Sequence, residues 1–247
     1  MIVKAIKTRP LFPPKDDLFS VIKESVSSLK EKSIIVVTSK IVSIGEGLCI
    51  KIDNVKIEKD SLIRKEADLY LDRDKNLLGS VMLTIKDNIL IPTSGIDESN
   101  ANGYYILWPK KPFESAKKIY NFIKKQYGLA EFGIIITDSH TTPLRLGIMG
   151  IGLAYYGFNP LRDYRGKKDI FGRKLKMSQT NIVDSLAASA VYVMGEGNEQ
   201  TPIAIIEDAG NIEFTEKDFS KLLGISIDED IYSPLLKSAK WKKGGSK

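Results

Sequence analysis

Short runs of β-branched apolar residues, separated by longer segments with helical periodicity, constrain the fold more than any other feature of the sequence. Residues 34–37, 134–137 and 203–206 are each typical of a strand that is buried on both faces. Residues 113–127 and 177–194 repeat apolar side chains at helical spacing, which predicts two long helices. Because these elements do not alternate with regular βαβ spacing, we predict an α+β fold with mixed sheets and packed helices.

The remaining chain predicts shorter elements with recognisable boundaries. They are a strand within residues 1–7, a proline-rich loop at 8–15, a helix starting after Asp16 and Asp17, a turn at 43–47, a helix at 61–70 and a hairpin at 79–92. At 247 residues, the chain is long enough for a single domain or for two intimate subdomains. Residues 237–247 read as a lysine-rich tail.

Composition argues against several function classes. The net charge is +6, but aromatic residues are not interleaved with the basic ones as a base-stacking platform requires, so no nucleic-acid partner is expected. Cys49 is the only cysteine, which precludes an intrachain disulfide and fits a reducing compartment. Neither a signal peptide nor an apolar run of roughly 20 residues is present, so we expect a cytoplasmic protein with no membrane partner. Neither common nucleotide-binding glycine motif occurs.

Four polar, glycine-bearing segments adjoin the predicted buried strands, where loops are held firmly enough to build a site. They are residues 38–47, 94–103, 137–145 and 194–202. In the first segment, Ser39 and Lys40 can bind phosphate oxygens, although this segment alone is more typical of an ordinary connection between strands. In the fourth, Gly195 can cap a helix, or the acidic loop that it begins can close over a nucleotide.

The second and third segments supply carboxylates. Asp97 and Asp138 are hard oxygen ligands suited to Mg²⁺ or Mn²⁺, which usually take one or two carboxylates plus substrate phosphates. Arg145 is a candidate for binding a phosphate or carboxylate, and Arg173, in a mixed-charge loop, is a second candidate. His140 is the only histidine, and we expect it to be structural.

Taken in order, these segments resemble one family, the coenzyme F420-0:L-glutamate ligases, also called F420 γ-glutamyl ligases. The resemblance runs from about Lys4 to Ile206. The residues that carry it are 39–43, Glu46-Gly47, 95–100, 137–139, 143–147, Asp169, Gly172-Arg173, Met194-Gly195 and Pro202.

The resemblance implies a homodimeric α+β ligase that uses GTP and two metal ions. The terminal phosphate of the nucleotide would activate an acceptor carboxylate as an acyl phosphate, and the amine of L-glutamate would displace phosphate. Asp97 and Asp138 match metal-binding aspartates of the family, and Ser139 matches a threonine that contacts metal. The predicted nucleotide-binding residues are those that match nucleotide-contacting positions of the family, together with Lys40 beside Ser39. They are Ser39, Lys40, Asn100, Gly195, Glu196, Gly197 and Thr201.

Two departures from the family pattern leave alternatives open. Ile44 stands where the family usually has lysine, so either GTP or ATP is a candidate co-substrate. Residues 139–143 replace the family's usual Thr-Phe-Gly-Arg-Pro, so the acceptor is coenzyme F420-0 or a folate-like molecule. A nucleotide- or metal-binding regulatory protein without ligase activity is the alternative function.

Overall fold

The predicted β-branched runs form the centre of a five-stranded mixed sheet. The protein is represented by a computed structural model that describes residues 1–52, 58–73 and 81–245. In spatial order, the strands of this main sheet are β1 (Ile2–Ile6), β12 (Ile203–Glu207), β2 (Ile34–Thr38), β8 (Gly133–His140) and β9 (Met149–Tyr156). Strands β2 and β8 are parallel, and every other neighbouring pair is antiparallel.

Helices cover both faces of the main sheet. The helices of the described chain are α1 (Leu18–Ser25), α2 (Ser39–Glu46), α3 (Lys59–Glu66), α4 (Pro112–Tyr127), α5 (Ile182–Met194) and α6 (Ser233–Ser238). Ile35 and Val37 of β2 join the core beneath α1, α2 and α4, whereas Ile34 and Val36 join the core beneath α5. Successive side chains of a strand point to opposite faces, so a continuous β-branched run satisfies both cores.

A smaller sheet and two ribbons complete the architecture. The four-stranded sheet is ordered β13 (Lys242–Lys243), β4 (Leu69–Tyr70), β5 (Leu83–Lys86) and β6 (Ile89–Pro92). The ribbons pair β3 (Cys49–Lys51) with β7 (Tyr104–Ile106) and β10 (Leu161–Asp163) with β11 (Gln179–Asn181). A separate apolar cluster that includes Leu62, Ile63 and Met82 lies beneath the smaller sheet. The α+β architecture with mixed sheets and packed helices is therefore confirmed.

Some predicted boundaries differ from the structure. Residues 43–47 are the last turn of α2 and its Gly47 cap, not a turn between strands, because Ile41, Val42 and Ile44 are buried at helical spacing. Helix α5 begins at Ile182 rather than 177, since the Asn181 side chain caps it by accepting from the Asp184 N–H. The predicted hairpin is present as β5 and β6, and residues 79–80 of that prediction lie outside the described residues.

Within residues 1–52, 58–73 and 81–245, no helix combines the length and the apolar character needed to cross a bilayer.

Candidate functional site

The candidate site lies at one edge of the main sheet, where β2 and β8 end side by side. These parallel strands pair Thr38 with Thr137, so the residues that follow both strands leave the sheet together. The Thr38 N–H donates to the Pro202 carbonyl at 3.0 Å, which brings the loop before β12 to the same edge. A cleft of about 380 Å³, which we call the sheet-edge cleft, opens here. The site residues predicted from sequence that line it are Lys40, Asp97, Asn100, Asp138, Ser139, Gly195, Glu196, Gly197 and Thr201.

Asp97 and Lys40 form an ion pair within the cleft. The Lys40 Nζ lies 2.7 Å from the Asp97 Oδ2 and 2.9 Å from the Ser99 carbonyl oxygen. The Ser99 N–H and hydroxyl donate to the other carboxylate oxygen, Oδ1, at 2.7 and 2.8 Å. Burial pushes the pKa of Asp97 upward, but Lys40 and Ser99 together outweigh burial and leave the pKa below its ordinary value. Asp97 is therefore ionised at neutral pH.

Asp138 stands at the end of β8 and is enclosed by donors. Its Oδ2 accepts from the Trp108 Nε1–H, its Oδ1 accepts from the Ser139 N–H at 2.8 Å, and the buried Ser39 hydroxyl is a further donor. Burial raises the pKa of Asp138 to about 6, and the nearby charge of Asp97 adds to the rise. Two carboxylates that disfavour each other's charge are thus held in one cleft.

The loop between α5 and β12 forms another wall of the cleft. Gly195 ends α5 with φ of 77°, and a Cβ there would lie 2.6 Å from the Glu199 Cδ, so this position favours glycine. Glu199 accepts the Gly197 N–H at 2.8 Å. The Asn100 Nδ2 donates to the Gly197 carbonyl oxygen at 2.8 Å, which ties this loop to the segment that carries Asp97.

The cleft carries more negative than positive charge. Burial raises the pKa of Glu196, whose carboxylate accepts from the Ser139 hydroxyl. The Arg9 guanidinium already pairs with Asp16 at 2.8 Å, and Lys40 already pairs with Asp97. Among the described lining residues, the carboxylates are Asp97, Asp138, Glu196 and Glu199, and the cations are Arg9 and Lys40. A polyphosphate would therefore enter this cleft more readily with a divalent cation than alone.

The donor set fits a hard divalent cation that also binds substrate. In the part of the chain that the structure describes, no three His, Cys, Asp or Glu side chains form a ready-made metal cluster. Mg²⁺ does not require one, because it commonly takes one or two carboxylates and completes its shell with water and substrate phosphates. Asp97, Asp138 and the Ser139 hydroxyl are the residues predicted from sequence for this role, and the Glu196 and Glu199 carboxylates lie in the same cleft.

Two predicted substrate-binding residues lie elsewhere. Arg145 and Arg173 are exposed to solvent and are not among the described residues that line the cleft. Their assignment remains a prediction. His140 is half-buried and also lies outside the cleft lining, and burial lowers its pKa.

Sequence reasoning missed two residues of the cleft region. Arg9 lies in the lining, and its only sequence signal is its place in the proline-rich loop after β1. Trp108 is almost fully buried and contacts Asp138 through its indole nitrogen, although thirty residues separate the two in sequence. No local sequence pattern predicts such a contact, because the contact depends on how the β3–β7 ribbon packs against the main sheet.

Comparisons with known proteins give one consistent result. A family model described as F420-0:Gamma-glutamyl ligase matches residues 6–208. A protein of Methanopyrus kandleri is 30% identical over 205 residues, covering 78% of this chain and 81% of the relative. Proteins of Methanocaldococcus jannaschii (34% identical, 75% and 79% covered) and Methanococcus maripaludis strain S2 (32%, 90% and 94%) are also similar. All three relatives are named coenzyme F420:L-glutamate ligase.

Proposed function

Because the chain belongs to the F420-0:gamma-glutamyl ligase family and is a ligase, we propose that it joins L-glutamate to a small-molecule carboxylate with a nucleoside triphosphate as co-substrate. One observation carries the proposal. Asp97, Asp138, Lys40 and the loop 195–201 come from distant parts of the chain and line a single cleft. That cleft combines carboxylates for a metal with a cation and backbone groups for phosphate.

The proposed reaction has two steps. An oxygen of the acceptor carboxylate attacks the terminal phosphorus, the bond to the bridging oxygen breaks, and the nucleoside diphosphate leaves. The glutamate amine then attacks the acyl carbon, inorganic phosphate leaves with the electrons of the broken C–O bond, and the proton lost by the amine passes to that phosphate. The coenzyme F420-0 that gives the family its name is the first acceptor to consider.

The residues of the cleft have separate roles in this proposal. Asp97 and Asp138, with Ser139, would hold Mg²⁺ or Mn²⁺, which supplies positive charge to the transferring phosphoryl group. Lys40 adds an ammonium group to the same cleft. Asn100 and the loop from Gly195 to Thr201 would enclose the nucleotide, supported by the bond between Asn100 and Gly197.

Phosphate release tests this function. With Mg²⁺, nucleotide and an acceptor present, we expect phosphate release to require glutamate, and we expect a chelator to stop it until Mg²⁺ or Mn²⁺ is restored. The two acceptors to compare are coenzyme F420-0, which is a deazaflavin, and a folate. Nucleotide binding without glutamate-dependent phosphate release with either acceptor would instead favour a regulatory protein.

Ile44 predicts a broad choice of nucleotide. Its side chain is buried in the cleft wall and has no hydrogen-bonding atom. A single hydrogen bond contributes about 0.5–1.5 kcal/mol, so we expect kcat/KM for ATP and GTP to agree within about tenfold. The variant Ile44→Lys should increase the preference for GTP. A wild-type preference for GTP above about a hundredfold, or an Ile44→Lys variant with an unchanged ratio, would show that other residues set the choice.

The acceptor is predicted to include folate-type molecules. The deazaflavin acceptor carries a phosphodiester, which folate lacks, and charge-assisted hydrogen bonds are roughly twice as strong as neutral ones. Arg145 and Arg173 are not among the described residues of the cleft lining, and the guanidinium that is there, Arg9, already pairs with Asp16. With both acceptors at equal concentration and labelled glutamate, we expect label in both products.

A matched variant sharpens the acceptor test. Thr142→Arg places a guanidinium at the position where the family usually has one, and it should shift labelling toward the deazaflavin acceptor. Exclusive labelling of the deazaflavin product by the wild type contradicts the prediction.

A homodimer is the proposed assembly. Leu144 and Leu146, on the turn between β8 and β9, are fully exposed, and Ile170 and Phe171 are nearly so. Exposed apolar groups of this kind often mark an interface between subunits. We expect a dimer in sedimentation experiments and a monomer when Leu144→Asp and Leu146→Asp are combined. The control Leu235→Asp, on exposed α6, should remain a dimer, and a monomeric wild type would overturn this assembly.

A further inference from the structure

Trp108 connects the β3–β7 ribbon to the candidate site. It follows β7 by two residues, is 3% exposed, and donates its Nε1–H to the Asp138 Oδ2. The bond fixes one carboxylate oxygen, and the Ser139 N–H fixes the other at 2.8 Å. Asp138 can therefore present only its remaining lone pairs to the cleft.

The same short segment also holds Asp97. The Asp97 N–H donates to the Ile106 carbonyl at 3.1 Å, and the Ile106 N–H donates back to the Asp97 carbonyl at 2.8 Å. Ile106 precedes Trp108 by two residues. The backbone of this segment thus sets the position of Asp97, and its indole sets the orientation of Asp138.

The indole has little freedom to move. Gly95 packs directly against it, since a Cβ at Gly95 would lie 2.0 Å from the indole Nε1. Lys86, which is buried and pairs with Glu66 at 2.8 Å, lies 5.9 Å from the centre of the indole ring. A buried donor with a fixed position is the kind of partner that orients a carboxylate ligand.

We propose that Trp108 is a positioning residue that orients the Asp138 carboxylate so that it shares a divalent cation with Asp97. The inference rests on the proposed metal-dependent function. Its particular content is that the metal affinity of the folded protein depends on the indole N–H. Removing an outer partner of a metal ligand typically weakens metal binding by about 10–100-fold.

Full-length protein and Mn²⁺ provide the test. Trp108→Phe keeps an aromatic ring but removes the N–H donor, and we expect Mn²⁺ to bind about 10–100-fold more weakly. The matched control is Trp241→Phe, because Trp241 is the only other tryptophan and donates to the Leu236 carbonyl near the C-terminus. The control should bind Mn²⁺ as the wild type does. Thermal unfolding without metal reports any purely structural effect, which would lower the unfolding temperature without changing metal affinity.

Fluorescence gives a second measurement that needs no change at the site. In Trp241→Phe, Trp108 is the single tryptophan, and with excitation selective for tryptophan, paramagnetic Mn²⁺ should quench its emission saturably. An unquenched Trp108, or wild-type Mn²⁺ affinity in folded Trp108→Phe, overturns the positioning role while leaving the proposed function standing. If the wild type binds no Mn²⁺, either alone or with a non-hydrolysable ATP analogue, the metal-dependent function and this inference fail together.

Discussion

Replacing Asp138 with asparagine is expected to abolish ligation while the protein stays folded. The side chains have nearly the same shape, but a neutral amide holds a divalent cation poorly. Loss of electrostatic stabilisation at a reacting centre typically costs on the order of 10²–10³ in kcat, so product formation should fall at least about a hundredfold. The amide also leaves one of two donors, Trp108 or Ser139, without its acceptor, at about 1–3 kcal/mol.

The free energy of unfolding should change little in Asp138→Asn, because a second effect opposes the cost of the donor left without an acceptor. Burial raises the pKa of Asp138 to about 6, so the ionised carboxylate is disfavoured in the folded protein. A group whose folded pKa is raised in this way binds its proton more tightly when folded, and its charge destabilises the fold as pH rises through about 6. The Asp138→Asn variant removes this cost at neutral pH and should therefore show a weaker decline in stability between pH 4 and pH 7.

Asp184 provides a matched control for the Asp138 variant. Its carboxylate accepts the Gly152 N–H at 2.9 Å and is not among the described residues of the cleft lining. Asp184→Asn makes the same chemical change at another hydrogen-bonded aspartate, and we expect it to retain ligation. Product yields report the ligation activity of both variants, and circular dichroism reports whether both are folded. An Asp138→Asn enzyme that ligates glutamate at the normal rate contradicts the metal assignment.

Gly95→Ala is expected to have the largest effect of any single methyl addition near the cleft. Gly95 has φ of 68°, a left-handed conformation that costs a residue with a Cβ roughly 1–2 kcal/mol. The new methyl group would also overlap the Trp108 indole, and overpacking a buried site typically adds about 1–3 kcal/mol. We therefore expect the free energy of unfolding to fall by about 2–5 kcal/mol, with a further loss of activity as the indole is displaced.

Gly103→Ala measures the conformational cost alone, so its difference from Gly95→Ala isolates the packing effect. Gly103 has φ of 82°, but a Cβ there meets nothing within 4 Å, so only the conformational cost applies. Denaturant unfolding should show a loss of about 1–2 kcal/mol for this variant. Equal losses for the two glycine variants would mean that the indole moves without cost, which contradicts the close packing of Gly95 against Trp108.

Local sequence patterns predicted the buried strands and the long helix α4 because those elements are specified by their own residues. The runs 34–37 and 134–136 are apolar at every position, which is what a strand covered on both faces requires. The order of strands was not predictable in the same way. Nothing in residues 203–206 indicates that β12 lies antiparallel between β1 and β2 rather than at an edge.

The boundaries that differed depend on capping and distant pairing. Gly47 adopts a left-handed conformation that ends α2, and the same residue in isolation indicates a turn. Residues 179–181 pair with β10, so they are a strand although they precede a helix with continuous apolar spacing. Both differences come from interactions that a local pattern does not contain.

The composition of the cleft was predicted better than the interactions within it. Each predicted polar segment follows or precedes a strand of the main sheet or its neighbouring ribbon, and strands that end at one edge bring such segments together. Trp108 was missed because it reaches Asp138 through tertiary packing. The Lys40–Asp97 ion pair was missed for the same reason, since the partners belong to different segments.

The most direct test of the central claim is the mass of the acceptor after incubation with protein, Mg²⁺, nucleoside triphosphate and isotopically labelled L-glutamate. We predict that coenzyme F420-0 or a folate-type acceptor gains the mass of a labelled glutamate residue, that one nucleotide is cleaved for each glutamate added, and that Asp138→Asn yields no product. Bound nucleotide and metal with no mass increase on either acceptor would contradict the claim that this chain ligates glutamate.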